Sequence, residues 1–225
     1  MTGGGANDIA VLTSGGDLSW CLINALRDKF GEFPVVEETD QPAPLAWRRL
    51  RSGGLAGAFS RAARRPKIGP LSNKRVAEVV EAQGLNPTPD PDQLRLKTPS
   101  LNSERCGDML QAMGPNVIVV LSNQMLSAQI LQSVQTPFVT FAFGDYPNGE
   151  AQCGAWLETR AAGGLSAANV TRVNVEALRR DASGALPWLL AAAARRPLID
   201  LVRTALAQSV EPSPSAARAF AGLRA

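Results

Sequence analysis

The chain predicts an α/β fold, in which helices flank a mostly parallel sheet. The runs 117–121 (VIVVL) and 138–143 (FVTFAF) are short, continuous and rich in β-branched or aromatic residues, as strands buried on both faces are. Helical patterns precede and separate these runs, and the first 30 residues hold another strand followed by a helix. Strands that alternate with helices along the chain are typical of a parallel sheet.

A glycine-rich turn joins the first strand to the first helix. Residues 8–12 (DIAVL) predict a buried strand, and residues 18–30 predict an amphipathic helix. Strand, glycine turn and helix together begin a Rossmann-like unit. Gly15 and Gly16 permit either close packing in a tight turn or an anion at the start of the helix. The segment IAVLTSGGD also resembles the start of phosphofructokinases, but the later motifs of those kinases are missing.

The next elements have shorter patterns. Residues 33–37 (FPVVE) predict a second strand, 76–84 a helix and 94–96 a short third strand. Glu37, at the end of the second strand, is either a solvated carboxylate or, in a dinucleotide fold, the partner of a ribose hydroxyl.

The segment 47–74 is basic and contains no acidic residue. Its charged side chains are Arg48, Arg49, Arg51, Arg61, Arg64, Arg65, Lys67 and Lys74. They form either a solvated face or a surface that captures a phosphorylated or nucleic-acid ligand. The residues expected to contact a small-molecule or phosphorylated ligand are Arg48, Arg49, Arg51, Arg64 and Arg65.

The helix that precedes the run 117–121 has clear start and stop signals. Asn102 is the predicted N-cap, and Leu101 is predicted to form a hydrophobic staple with Cys106. Gly114, followed by a proline, stops the helix. Four apolar residues recur at helical spacing and are expected to bury one face, namely Cys106, Met109, Leu110 and Met113.

Polar segments follow the two apolar runs, at the point where each predicted strand ends. They are Ser122-Asn123-Gln124 and Gly144-Asp145-Tyr146-Pro147. Ligands of open α/β sheets bind beyond the carboxyl ends of the strands. A binding site is therefore expected between these two segments.

The stretch 98–156 resembles the formyltransferase family, which transfers a formyl group from 10-formyltetrahydrofolate to methionyl-tRNA, glycinamide ribonucleotide or amino sugars. In order, the matching features are LNSE, an amphipathic helix, PNVIVV, ILQ, PFVTFAFG, a proline and GAW. The resemblance extends more thinly over residues 8–184. It implies a Rossmann-like formyltransferase fold and a folate cofactor, with Ser122, Asn123 and Gln124 as its binding residues.

The chain departs from this family at the catalytic positions. The family's Asn falls on Thr140 and its His on Ala142, and the chain contains no histidine that could replace the lost imidazole. A family Asp has its nearest counterpart at Asp181, one residue out of register. The resemblance therefore implies a pseudoenzyme that binds a ligand or a partner without folate-dependent formyl transfer.

The alternative is an active one-carbon or acyl transferase with a histidine-free mechanism. Its candidate catalytic residues are Asn123, Thr140, Asp145 and Asp181. A side-chain amide or hydroxyl can donate to an oxyanion. A carboxylate can act as a base if burial shifts its pKa. The same residues also have a purely structural interpretation. Thr140 is a β-branched residue of the kind that fills strands, Asn123 favours a turn, and Asp145 is a loop carboxylate.

The last third of the chain predicts a strand and a helical tail. Residues 169–175 alternate like a strand, and residues 186–208 predict a helix interrupted at Pro197. We expect an α/β domain over 1–185 and a C-terminal helical tail over 186–225. The apolar faces of the tail would pack on the domain, on a second copy or on another protein.

Charge, cysteine spacing and the length of apolar runs limit the functions that fit this sequence. A net charge of +3 permits anionic ligands without requiring nucleic acid. The three cysteines have no metal-ligand spacing and no histidine accompanies them, so no metal is expected. No apolar run is long enough to span a membrane and no signal sequence begins the chain, so we expect a cytoplasmic location and no membrane contact.

Overall fold

The computed structural model describes residues 8–39, 68–122, 125–145, 153–161, 169–173, 175 and 184–210. Several predictions fall outside these ranges. They concern Asn123, Gln124, Asp181, the five arginines expected to contact a ligand and the tail beyond residue 210.

Twelve elements are found in the described residues. The strands are β1 (Ile9–Thr13), β2 (Val35–Glu38), β3 (Arg95–Thr98), β4 (Val117–Leu121), β5 (Phe138–Asp145), β6 (Cys153–Arg160) and β7 (Asn169–Val173). The helices are α1 (Asp17–Phe30), α2 (Lys74–Ala82), α3 (Glu104–Met113), α4 (Ala128–Ser133) and α5 (Leu186–Val210).

All seven strands form one sheet in the order β3-β2-β1-β4-β5-β6-β7. The pairs among β3, β2, β1, β4 and β5 are parallel, whereas β6 is antiparallel to both of its neighbours. The predicted α/β class, with a mostly parallel sheet and flanking helices, is confirmed.

Two hydrophobic clusters cover the two faces of the sheet. On one face, alternate residues of the central strands pack with α1, α2 and α5, and Trp188 of α5 is among the largest buried side chains. On the other face, the intervening strand residues pack with α3 and α4. Every residue of β4 is buried, which agrees with its continuous apolar sequence.

Side chains of α5 form hydrogen bonds with backbone carbonyls on both sides of α2. The indole Nε1 of Trp188 donates to the carbonyl of Gly69 at 3.1 Å. The guanidinium of Arg195 donates to the carbonyls of Gln83 and Gly84, at 2.6 and 3.2 Å. Because α2 ends at residue 82, Arg195 satisfies carbonyl groups at the C-terminal end of that helix.

Two predictions about helices were wrong in detail. The N-cap of α3 is Ser103, whose hydroxyl accepts from the amide of Cys106, and not Asn102, whose amide group is engaged by another segment. Pro197 does not interrupt α5, which runs through it as a single helix. Ala194 and Leu198, on either side of the proline, are both buried, so packing sustains the helix against the local cost of proline.

The described part of the chain includes no helix that is both long and apolar enough to cross a membrane.

Candidate ligand site at the carboxyl edge of the sheet

The strand order predicts a crevice between the carboxyl ends of β1 and β4. From β1 the chain proceeds to β2 on one side, whereas β4 and β5 lie on the other side of β1. Strand order therefore reverses at this point, and ligands of open α/β sheets bind where it reverses. The residues that follow β1 and β4 are therefore expected to line this crevice.

Hydroxyl groups join the two strand ends at the crevice. The side-chain oxygens of Ser14 and Ser122 lie 2.6 Å apart. The hydroxyl of Thr13 donates to the carbonyl of Leu121 at 3.2 Å and accepts from the amide of Gly15 at 3.0 Å. Ser122 is buried and Ser14 is exposed, so this connection reaches from the core to the surface.

The strand register extends this connection into a row across the sheet. Ala142 of β5 pairs with Trp156 of β6, which pairs with Arg172 of β7. Val120 pairs with Thr140, so continuing the register by two residues puts Ser122 level with Ala142. We call Ser14, Ser122, Ala142, Trp156 and Arg172 the edge row. It combines two hydroxyls, a methyl group, an indole and a guanidinium.

A buried ion pair lies next to the edge row. Thr140 pairs with Glu158 across β5 and β6, and the carboxylate of Glu158 binds the guanidinium of Arg160. Glu158 is 8% exposed, although burying a carboxylate is unfavourable unless it is paired. This pair was not predicted, because CGAWLETR was not predicted to be a strand. The pattern that could have predicted this strand is the alternation of other residues with Trp156, Glu158 and Arg160.

Two carboxylates lie near the other side of the crevice. Glu37 pairs with Thr13, and a Cβ atom on Gly15 would lie 2.9 Å from its Oε1 oxygen, so this carboxylate contacts the glycine turn. Glu38 accepts from the amide of Leu101 at 3.4 Å. Gly15 and Gly16 have φ angles of 80° and 91°, which suits glycine. The structure thus accounts for the glycines by backbone conformation and close packing, while the anion at this turn stays a prediction.

The structure brings several predicted site residues together. Ser122 is buried at the end of β4, Thr140 is half-buried in β5, and Ala142 is 9% exposed. The backbone of Asp145 pairs with that of Cys153 at the end of β5. The predictions for Asn123, Gln124 and Asp181 concern positions outside the described residues.

Cys21 and Cys106 are free and buried. Burial, with a smaller effect of Asp17, raises the pKa of the Cys21 thiol to about 12. Burial, with a smaller effect of Glu38, raises the pKa of Cys106 to about 11. These thiols are packing residues that stay protonated at neutral pH. In the ranges that the structure describes, no three Cys, Asp or Glu side chains form a group suited to a metal ion.

Comparison with known proteins finds no family model and no curated protein sequence that matches this chain.

Proposed function

We propose that the protein is a divergent, formyltransferase-like pseudoenzyme that binds a reduced folate at the edge row without transferring its formyl group. The observation that carries this proposal is the register of Ala142, which pairs with Trp156 and comes two residues after Thr140, the partner of Val120. A methyl group lies there, where the resembling family has its imidazole.

The strand order supports the Rossmann-like part of the proposal. The five parallel strands have the order 3-2-1-4-5, which is the order at the start of the doubly wound dinucleotide-binding fold. The extra antiparallel strand, β6, brings Trp156 beside Ala142. The edge row therefore has the location at which a ligand of this fold class binds.

The chemistry of the edge row supports binding more than catalysis. Removing a positioned acid–base group typically lowers a rate by about 10²–10⁴-fold. Removing an oxyanion donor lowers it by about 10²–10³-fold. The chain has no histidine, and neither the methyl group of Ala142 nor the hydroxyl of Thr140 replaces an imidazole as a base at neutral pH. The hydroxyls of Ser14 and Ser122 and the indole of Trp156 can still hydrogen-bond and pack against a flat polar ligand.

Calorimetric titration with 10-formyltetrahydrofolate tests the binding. We expect one site per chain, and we expect Ala142→Leu to weaken binding by at least about tenfold because the larger side chain fills the edge row. Thr171→Leu adds bulk at an exposed position of β7 and serves as the matched control. Equal affinity in Ala142→Leu and wild type would contradict the site. No binding by wild-type protein that forms a stable dimer would favour an interaction role instead.

The buried Glu158 favours a second candidate, an active transferase with a histidine-free mechanism. Its carboxylate lies on the strand opposite Thr140, close to the place where the resembling family has its Asn. In this reading Glu158 handles the proton and Thr140 donates to the oxyanion. Folate-dependent formyl transfer that Glu158→Gln abolishes, and that Thr140→Val reduces, would support this candidate over the first.

A further inference from the structure

Gln93 is a buried polar residue at the amino-terminal edge of the sheet. It lies just before β3 and is 7% exposed, and its Nε2 group donates to the carbonyl of Phe33, just before β2. Among the residues that the structure describes, its Oε1 oxygen is the one buried side-chain polar atom without a hydrogen-bond partner in the protein. Buried polar atoms almost always have a partner, so this oxygen requires one.

The orientation of the Gln93 amide group is fixed by its neighbour. The carbonyl oxygen of Phe33 can only accept a hydrogen bond, so it selects the Nε2 end of the amide. Turning the amide over would place Oε1 against that carbonyl oxygen, with two acceptors facing each other. The atom without a partner is therefore an acceptor, and the group that satisfies it must be a donor.

The loop 83–94 carries Gln93 and is itself held by polar bonds. The Nδ2 group of Asn24, in α1, donates to two carbonyls of the loop at 2.8 and 2.9 Å. Arg27, also in α1, forms an ion pair with the carboxylate of Asp90. The backbone amide of Gln93 donates to the carbonyl of Asp90 at 3.2 Å. Attached at these points, the loop keeps Oε1 of Gln93 in the interior.

The surroundings of Oε1 favour a small, neutral donor. A metal cation would need several oxygen ligands, and the described ranges contain no group of three acidic or cysteine side chains that could supply them. The carboxylate of Asp90, in the same loop, is already paired with Arg27. The burial of Gln93 leaves no room at Oε1 for an organic ligand. A water molecule is small enough, and internal waters typically make about three hydrogen bonds to buried polar groups.

We propose that Oε1 of Gln93 binds one internal water molecule, which joins the loop 83–94 to the backbone before β2. The carbonyl of Phe33 has a second lone pair, which the same water can use. The water and Phe33 together satisfy both ends of the amide, which accounts for a buried glutamine at this position. This binding site lies at the end of the sheet opposite to the edge row and does not depend on the proposed function.

A crystal structure of the full-length wild-type chain, at a resolution that shows ordered solvent, tests the inference. We expect one water oxygen about 2.5–3.0 Å from Oε1 of Gln93, with at least one further hydrogen bond to the protein. Magnetic relaxation dispersion of the solvent counts long-lived internal waters and gives an independent measurement in solution. Gln93→Met removes the amide at nearly constant side-chain length, and we expect this variant to hold one long-lived water fewer than wild type.

Gln111→Met is the matched control. The Nε2 group of Gln111 also donates to a backbone carbonyl, that of Ser133 at 2.9 Å, but its side chain is exposed. We expect this variant to keep the wild-type number of long-lived waters. Gln93→Met should lower the melting temperature more than Gln111→Met does, because it leaves the buried carbonyl of Phe33 without its donor.

Three results would overturn the inference. They are a crystal structure with no water bonded to Oε1, a protein N–H or O–H group that donates to Oε1, and an unchanged number of long-lived waters in Gln93→Met. If this variant does not fold, the wild-type crystal structure decides by itself. None of these results bears on folate binding at the edge row, so this inference and the proposed function fail independently.

Discussion

The hydroxyl oxygens of Ser14 and Ser122 lie 2.6 Å apart, although the two residues are 108 positions apart in the chain. Their bond joins the turn after β1 to the end of β4, at the point where strand order reverses. Ser122 is buried and Ser14 is exposed, so the bond reaches from the core to the surface.

A double-mutant cycle measures this bond. We expect Ser14→Ala and Ser122→Ala to show a coupling energy of about 0.5–1.5 kcal/mol, because a side-chain hydrogen bond typically contributes that much to stability. The measurement is chemical denaturation of wild type, both single variants and the double variant. Additive effects within about 0.5 kcal/mol would mean that the contact contributes nothing of its own.

Gly69 and Gly107 should respond oppositely to alanine. A Cβ on Gly69 would lie 3.0 Å from the side chain of Val76 and 3.1 Å from the Cα of Gly184, so these neighbours would have to shift. We expect Gly69→Ala to destabilise the protein by about 1–3 kcal/mol, as overpacking does. Gly107 lies within α3, and its nearest contacts would be an ordinary 3.5 Å. Gly107→Ala should be neutral or stabilising by up to about 1 kcal/mol, because alanine favours helix. Equal losses in both variants would contradict this packing.

Arg195 should stabilise the end of α2. We expect Arg195→Ala to cost about 1 kcal/mol in the free energy of unfolding and to speed hydrogen exchange in the last turn of α2, because two carbonyls lose a charged donor. Arg196→Ala removes the same charge from an exposed neighbour and is the control. Exchange in α2 that is unchanged by Arg195→Ala, or changed equally by Arg196→Ala, would argue against the cap.

Alkaline pH should destabilise the protein through its two buried thiols. The pKa of Cys21 rises from 9.0 to about 12, and that of Cys106 from 9.0 to about 11, when the protein folds. A raised folded-state pKa gives stability that is fully present below pH 9.0 and is lost as pH rises through the folded value. Between pH 8 and 10 we expect each thiol to cost about 1 kcal/mol.

The control for the alkaline experiment is a variant with alanine at both positions. Denaturant titrations of this variant and of wild type, at pH 8 and 10, should show a smaller loss of stability in the variant. Parallel losses in the two proteins would assign the alkaline sensitivity to other groups.

The centre of the sheet could be predicted because β1 and β4 are buried on both faces. The bounds predicted for β4 were 117–121, and those found are the same, since a continuous apolar run has one interpretation in a parallel sheet. β6 was not predicted, because its charged residues pair with each other on the sheet instead of pointing to water. Ser103 displaced Asn102 as the N-cap of α3, because the side chain of Asn102 binds Met125 and Ser127, far away in sequence.

The position of the candidate site could be predicted in part, because it depends on the order of the parallel strands. The carboxyl ends of parallel strands meet at one edge, so the proximity of Ser122 to the end of β5 follows from strand order. The neighbours of Ala142 and Thr140 on β6 depend on the register of an antiparallel pair, which the sequence pattern leaves open. Trp156 and Glu158 can therefore be assigned to the candidate site only from the register that the structure shows.

The formyl-transfer rate of the wild-type protein, compared with that of a Thr140→Asn/Ala142→His variant, tests the central claim most directly. The substrate is 10-formyltetrahydrofolate, with a set of primary amines as acceptors. We expect wild type to transfer no faster than the uncatalysed background, and the variant to transfer at least about 10²-fold faster than that background, because a positioned imidazole supplies at least that much. Transfer by the wild-type protein at a rate that the restored residues do not raise would contradict the account.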